Sequence, residues 1–335
     1  MSDHGLKAMP SPNSEPLFDL LSYGRRGPNR RDQLSPADIR QISRTVGRTP
    51  EVMIKVLSRG ANNPKAVGKH LEYIGRKGEV ELETDTGDKL HDAKELLDDW
   101  DLDLDEYRSR TDLTATDGKQ QPRLVHKVLF SMPAGTPPDK VLTAVKNFCR
   151  EEFALKHRYV MALHTDEPHP HVHVVIKAMS EHCERLNIRK ATLRQWRADF
   201  ARHLRALGVP ANATQRYVRG ETRTPKSNGI YRASLRGHST HIRARTEAVA
   251  IELAKGGLRV EPGKAAMIRT RSEIHRAWSM VADMLVRERR PDLADQVRHF
   301  ADHMTPPLTE KEVIATDLLQ HAQRRPVRER DGRHL

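Results

Sequence analysis

Alternating hydrophobic and polar residues predict short strands in the first two thirds of the chain. Apolar runs at residues 52–57 and 124–130 have the composition of sheet strands. Two further runs, residues 159–164 and 171–178, are separated by a short segment that contains two prolines. Proline favours turns, so this segment is predicted to be a loop that joins the two runs into an antiparallel hairpin.

Other segments have the apolar spacing of helices. The first is predicted to begin at residues 63–64 and to end at Gly78, and its apolar stripe consists of Val67, Leu71 and Ile74. Two more helices are predicted at residues 137–154 and 190–207. Strands interleaved with helices, together with the hairpin, predict an α+β fold in which a mainly antiparallel central sheet is flanked by helices.

The pattern also divides the chain into three regions. Residues 1–48 are rich in Ser, Pro, Gly and Arg without sustained periodicity, which predicts a flexible basic N-terminal arm. Residues 49–235 hold the predicted sheet and its helices. Residues 236–335 are predicted to form a helical, basic C-terminal region that ends in an arginine-rich tail.

Charge narrows the possible partners. The 335 residues carry a formal net charge of +13, which fits either a solvated basic surface or a polyanionic partner whose counterions are released on binding. Charge alone does not separate DNA from RNA or from an acidic membrane. The two cysteines, the lack of a long apolar run and the lack of a secretory signal predict a cytoplasmic protein with no membrane span.

The densest chemistry lies on the predicted hairpin, where four histidines fall within ten residues. Strand side chains alternate between faces, so His171 and His173 are predicted to share a face. If the loop closes a hairpin, His164 lies about opposite His171, with Cβ atoms about 5 Å apart. Three imidazoles converging in this way predict a metal site with positions left for water or a phosphate oxygen.

Alternatives remain at each of these positions. A surface cluster without a metal is the alternative for the three histidines. His169 lies in the loop and is interpreted as a bystander or a group that supports the ligands. Asp166 is either an acceptor that orients an imidazole N–H or simply a residue favoured in turns.

A second candidate lies far upstream, on the first predicted helix. At about 100° per residue, Tyr73 lies about 120° from Val67 and off the apolar stripe, so it need not belong to the core. Taken by itself, a tyrosine on a helix rarely acts as a nucleophile.

The two motifs together resemble one family. The hairpin is similar to the HUH motif (His, hydrophobic, His) of relaxases, and the segment LEYIGRKG at residues 71–78 resembles the one that carries their catalytic tyrosine. Ser131–Thr136 resembles the same branch, the P-type mobilisation relaxases that include the T-DNA border endonuclease. The resemblance covers about residues 50–235 in family order. Rolling-circle initiators share the HUH motif but place their tyrosine after it.

The resemblance implies a function. Tyr73 would be the nucleophile, His164, His171 and His173 would hold Mg²⁺ or Mn²⁺, and Asp166 would assist. Arg76 and Lys77 would contact single-stranded DNA at an origin of transfer. The expected product is a 5′-phosphotyrosyl link for conjugative transfer. Expected partners are an accessory relaxosome protein and a type IV coupling protein, and the resemblance implies a cytoplasmic protein that is exported together with its DNA.

Two other classes of function remain open. One is a metal-dependent phosphohydrolase that uses water as its nucleophile and therefore forms no covalent adduct. The other is a catalytically degenerate relaxase homologue that binds DNA without cutting it.

Overall fold

The computed structural model describes residues 6–7, 18–23, 31–57, 62–91, 93–102, 104–105, 123–221, 230, 233 and 235–324. The chain divides into two compact units, the first formed by Met1–Phe18 and Ser35–Thr214, the second by Asp19–Leu34 and Gln215–Leu335. Three parts of the predicted N-terminal arm, residues 1–5, 8–17 and 24–30, lie outside the described residues, as does the arginine-rich tail from residue 325 onward.

A six-stranded antiparallel sheet forms the centre of the first unit. The strands in the described residues are β1 (Leu6–Lys7), β2 (Met53–Leu57), β3 (Leu82–Thr84), β4 (Lys89–Leu90), β5 (Val125–Ser131), β6 (Tyr159–His164), β7 (His171–Lys177) and β8 (Leu186–Asn187). The sheet order is β2-β5-β7-β6-β3-β4, and every neighbouring pair is antiparallel. Strands β1 and β8 pair in parallel as a separate ribbon.

Helices flank this sheet and make up most of the second unit. They are α1 (Pro36–Val46), α2 (Pro64–Ile74), α3 (Ala93–Asp99), α4 (Pro138–Phe153), α5 (Lys190–Ala206), α6 (Thr240–Ala254), α7 (Lys264–Arg287), α8 (Pro291–Asp302) and α9 (Glu310–Arg324). The predicted α+β fold, with an antiparallel sheet between helices and a helical C-terminal region, is confirmed.

The two faces of the sheet differ in chemistry. One face is apolar along its length and packs against α4 and α5, where its core includes Val128, Phe130, Val172, Val174, Phe148, Trp196 and Phe200. The other face is apolar only in part, where Leu71 and Ile74 of α2 and Trp100, which follows α3, pack over Val125, Val160 and Val175. Strand alternation places His171 and His173 on this second face, beyond its apolar part.

The N-terminal cap of helix α2 and its buried apolar stripe fix the position of the helix. Asn63 caps the helix by accepting a hydrogen bond from the Ala66 amide at 2.8 Å, and Pro64 occupies the first turn. The predicted apolar stripe is fully buried. The helix ends at Ile74, earlier than the predicted Gly78, because a 3-10 turn at Arg76–Gly78 with left-handed backbone follows it.

Helix α1 lies within the segment that was predicted to be a flexible arm, so that prediction is wrong for residues 36–46. Its start is fixed by a capping box, in which the Ser35 side chain accepts from the Asp38 amide and Asp38 accepts from the Ser35 amide, each at 3.1 Å. Ile42 is fully buried, and Gln41 donates to the Asn212 side chain at 2.6 Å. These contacts hold α1 in the first unit.

The second unit has its own core, built mainly on α7 and α8. Trp278 is fully buried and donates its indole N–H to the Val218 carbonyl at 2.9 Å. The Arg271 guanidinium donates to the carbonyls of Gly220 and Thr305. The unit begins again at Gln215, whereas the predicted domain boundary lies near residue 235. The division into functional domains therefore stays a prediction.

Among the residues described, none of the helices combines the length and the apolar character that a membrane crossing requires.

Candidate active site

The hairpin brings three histidines together at one end of the sheet. His164 is the last residue of β6 and pairs directly with His171, the first residue of β7, as the hairpin argument predicted. His173 follows on the same face, and its ring centroid lies 4.7 Å from that of His164 and 5.4 Å from that of His171. One potential ligand atom from each histidine lies within 4.8 Å of the others.

Backbone carbonyls fix two of these imidazoles. Nε2 of His164 lies 2.7 Å from the Ile74 carbonyl oxygen, and Nδ1 of His171 lies 3.0 Å from the His169 carbonyl oxygen. A carbonyl only accepts, so each of these nitrogens carries the proton and donates it. The second nitrogen of each neutral ring, Nδ1 of His164 and Nε2 of His171, is therefore the basic one. Such outer contacts orient histidine ligands in metal sites.

The third histidine supplies an independent test of whether the site fits a metal. Nδ1 of His173 is buried and has no hydrogen-bond partner among the described residues. A buried polar atom without a partner is costly, and a cation bound at this cluster would be one way to remove that cost. The three imidazoles thus fit a divalent ion in both composition and spacing.

Burial keeps two of the three imidazoles neutral. Desolvation, followed by the neighbouring His164 and His171, lowers the pKa of His173 to about 3. Burial is also the main cause that lowers the pKa of His164. Neutral imidazole is the form that binds a metal ion, so the fold holds these two rings in the binding form at neutral pH.

Tyr73 lies beside this cluster on the last turn of α2. Its side chain is 51% exposed, whereas the stripe residues of the same helix are fully buried, so the predicted position off the core stripe is confirmed. The Tyr73 ring meets the His173 ring edge-on, with a centroid distance of 6.3 Å. The phenol is therefore both open to solvent and adjacent to the imidazoles.

Arg76 contacts three groups of this site. Its guanidinium carbon lies 5.2 Å from the centroid of the Tyr73 ring, within the range of a cation–π contact. Its Nη2 lies 3.4 Å from Nδ1 of His164 and forms an ion pair with the Asp166 carboxylate. The sequence suggested that Asp166 accepts a hydrogen bond from an imidazole N–H. In the structure its carboxylate pairs with the Arg76 guanidinium. Lys77, the next residue, is exposed.

Sequence reasoning missed two features of the site. His70 stacks on Tyr73 at a centroid distance of 6.1 Å and meets His173 at the same distance. Burial, and then the charge of Lys127, lowers the pKa of His70 to about 4. The three-residue spacing from Tyr73 on a helix was a usable signal for it. The carbonyls that hold His164 and His171 left no such signal, because every residue has one.

An antiparallel sheet with three histidines on one hairpin and an upstream tyrosine beside them resembles the site of HUH-type nucleases. Residues 73–208 match the family model "Relaxase: MobA/VirD2-like, nuclease domain". This match begins at Tyr73 and includes the histidine hairpin. The resemblance to relaxases of the VirD2 kind, drawn from the sequence motifs, is confirmed.

Curated relatives agree with the family match. The chain is 26% identical over 217 residues to the T-DNA border endonuclease VirD2 of Agrobacterium fabrum, an alignment that covers 58% of this chain and 46% of that protein. It is 28% identical to VirD2 of Rhizobium radiobacter over 137 residues, which cover 38% of this chain and 31% of that one. The chain therefore spans less than half the length of these relatives.

Proposed function

We propose that this protein is a relaxase that nicks one strand of DNA at an origin of transfer, with Tyr73 as the nucleophile. The observation that carries the proposal is the Tyr73 ring, half exposed and edge-on against His173 in the histidine cluster. The relatives are endonucleases that act on T-DNA borders by name, which supports a DNA substrate cut at a defined sequence.

The reaction is a transesterification at phosphorus. Oη of Tyr73 forms a bond to the phosphorus atom, and the bond from phosphorus to the 3′ oxygen of the preceding nucleotide breaks. The phenol loses its proton, and the departing oxygen gains one, so the products are a 5′-phosphotyrosyl link and a free 3′-hydroxyl. Because the ester bond is kept, the same site is able to rejoin the strand.

The histidines are proposed to hold a divalent ion, Mg²⁺ or Mn²⁺. When bound, that ion supplies charge stabilisation for a nonbridging phosphate oxygen. The fold contributes three imidazoles on two paired strands, with the Ile74 and His169 carbonyls holding two of the rings. Exposed Lys77 is proposed to contact the DNA backbone beside the site. Arg76 is close enough to contribute to the same contact.

A gel assay tests this proposal. The full chain would be incubated with Mg²⁺ or Mn²⁺ and single-stranded oligonucleotides that tile a candidate origin of transfer. We expect a protein–DNA band that survives denaturing electrophoresis and a DNA-linked peptide that contains Tyr73. Cleavage without an adduct would instead identify a hydrolase that uses water, and binding without cleavage would identify a degenerate homologue.

The wider partners are also proposals. The arginine-rich tail, which lies outside the described residues, is proposed to direct export through a type IV secretion system together with the DNA. An accessory relaxosome protein and a coupling protein would then act with this chain. Truncation after His321 should leave nicking in vitro intact and reduce transfer between cells. Transfer at the normal rate would contradict this role for the tail.

A further inference from the structure

The turn after α2 has a backbone that needs an explanation. Arg76 and Lys77 have φ values of 49° and 56°, and Gly78 follows with a φ of 94°. Left-handed backbone is unfavourable for residues with a Cβ atom, and such residues persist only where the surroundings hold them. Two consecutive left-handed residues, about one helical turn after Tyr73, indicate that contacts with the surroundings hold this turn in place.

The contacts of Arg76 identify what the turn achieves. Helix α2 ends at Ile74, and the turn leaves the Arg76 guanidinium 5.2 Å from the centroid of the Tyr73 ring. The same guanidinium pairs with Asp166 in the loop between β6 and β7. The side chain of Arg76 is 31% exposed and that of Asp166 is 53% exposed, so this pair lies at the surface. A surface ion pair adds little stability by itself, so stability does not explain the arrangement.

We propose that Asp166 and Arg76 form a latch that positions the Tyr73 ring. The Asp166 carboxylate holds the guanidinium, and the guanidinium holds the phenol ring against the histidine cluster. Arg76 and Asp166 are then positioning residues, and Asp166 acts on Tyr73 only through Arg76. This inference rests on the proposed function and assigns Arg76 a role beyond contact with DNA.

Arginine suits this task better than lysine would. The guanidinium is planar, stacks on aromatic faces and presents several donors in a fixed fork. It is therefore able to face the Tyr73 ring and pair with Asp166 at the same time. A lysine ammonium carries the same charge without this geometry. Arg76→Lys thus separates positioning from charge.

The first test measures rate and affinity separately. The rate of adduct formation at saturating oligonucleotide and the Kd for the same oligonucleotide would be compared for Arg76→Ala, Arg76→Lys and Asp166→Asn. We expect the rate to fall about tenfold to a hundredfold in Arg76→Ala and nearly as far in Arg76→Lys. Because Arg76→Lys and Asp166→Asn keep the positive charge at position 76, their Kd should stay within about threefold of the parent. Lys65→Ala, which removes an equal charge from the exposed side of α2, is the matched control and should change neither value.

The second test asks whether Asp166 acts through Arg76. If it does, Asp166→Asn slows adduct formation in the parent but changes the rate less than about twofold in the Arg76→Ala background. Additive losses in the double variant would overturn the latch. A weaker Kd with an unchanged rate in Arg76→Ala would show that Arg76 is a DNA contact only. Mn²⁺ affinity, measured in Asp166→Asn, should match the parent, which separates the latch from an effect on the histidines.

A third measurement does not depend on activity. The chain has six tyrosines, so ring-labelled tyrosine gives an NMR spectrum simple enough to assign the Tyr73 signal by its loss in Tyr73→Phe. That signal should shift in Arg76→Ala and in Asp166→Asn but not in Lys65→Ala. An unmoved signal would refute the latch. If the signal moves while the parent protein forms no adduct, the latch stands and the proposed function fails.

Discussion

His164 and His171 are directly paired across strands β6 and β7, and their ring centroids lie 5.2 Å apart. This pairing fixes two ligands of the candidate metal site on neighbouring strands, where the backbone hydrogen bonds of the sheet hold them. His173 lies two residues further along β7 and completes the cluster. The backbone pairing of β6 with β7 thus holds the geometry of the site.

Metal binding should depend on all three of these histidines. Alanine at His164, His171 or His173 removes one imidazole from the cluster, and we expect each to weaken Mn²⁺ binding by at least about tenfold. Isothermal titration of Mn²⁺ into each variant would measure this.

His169→Ala is the control for the metal series. It removes an exposed imidazole from the loop but keeps the carbonyl that holds His171, so the loss of Mn²⁺ affinity should be much smaller.

A chelator should stop cleavage and spare most DNA binding, which depends on phosphate contacts by basic residues. Unchanged Mn²⁺ affinity in His164→Ala would remove that residue from the site.

The pattern of side chains along the strands was sufficient to predict this cluster. Alternation places His171 and His173 on one face, and a loop of fixed length places His164 opposite His171. Both depend only on spacing along the chain. The contact between Tyr73 and His173 could not be predicted in this way, because the two residues lie 100 positions apart in the chain. Only the family resemblance linked them.

Backbone conformation accounts for what the sequence did not predict. The pairing of Arg76 with Asp166 depends on left-handed residues after α2, and nothing in Arg76 or Lys77 favours that conformation.

Helix α1 was missed for a different reason. Its capping box is visible as Ser35 and Asp38, but the arginines around it and the lack of a long apolar stripe favoured an arm.

Loss of the Tyr73 hydroxyl should abolish the covalent adduct and leave the fold intact. The ring is half exposed and its contacts to His70, His173 and Arg76 all involve the ring, which phenylalanine keeps. We therefore expect Tyr73→Phe to bind the oligonucleotide within about threefold of the parent affinity and to form no adduct. Tyr217→Phe is the control and should form adduct normally. DNA mapped to any other tyrosine would contradict the assignment.

The pH dependence of stability should carry a contribution from Glu152. Burial, together with the nearby Asp199, raises its pKa to about 7, although it accepts a hydrogen bond from the Trp196 indole at 2.8 Å. The folded pKa thus exceeds the unfolded value, so the fold disfavours the charged form. Below about pH 4.5 the carboxyl is protonated in both states, and Glu152 does not lower the free energy of unfolding. As the pH rises to about 7 the ionised carboxylate lowers that free energy more and more, and above about pH 7 the loss is constant.

Glu152→Gln removes the buried charge and with it this loss of stability. The glutamine keeps a side-chain oxygen that accepts the hydrogen bond from the Trp196 indole. At pH 8 the variant should be more stable than the parent by up to about 3 kcal/mol, and the difference should nearly vanish at pH 4.5. Urea unfolding of both proteins at the two pH values would measure it. A difference that does not change with pH would show that the side chain acts by packing and not by charge.

In the second unit, Gly220 should be required for stability. Its φ is +69°, and an added Cβ would lie 2.8 Å from the Met304 sulfur and 3.0 Å from the Arg271 guanidinium. Arg271 donates to the Gly220 carbonyl, and Met304 is buried, so neither neighbour can move away freely. Gly220→Ala should therefore destabilise this unit by about 2–4 kcal/mol, from backbone strain and overpacking together.

Gly237→Ala is the matched control, because its φ is +72° and no atom of the described residues is found within 4 Å of an added Cβ. Gly237→Ala should lower the free energy of unfolding only by the backbone strain, about 1 kcal/mol. Thermal unfolding of the two variants would separate these contributions, and equal losses would show that the contacts with Met304 and Arg271 do not matter.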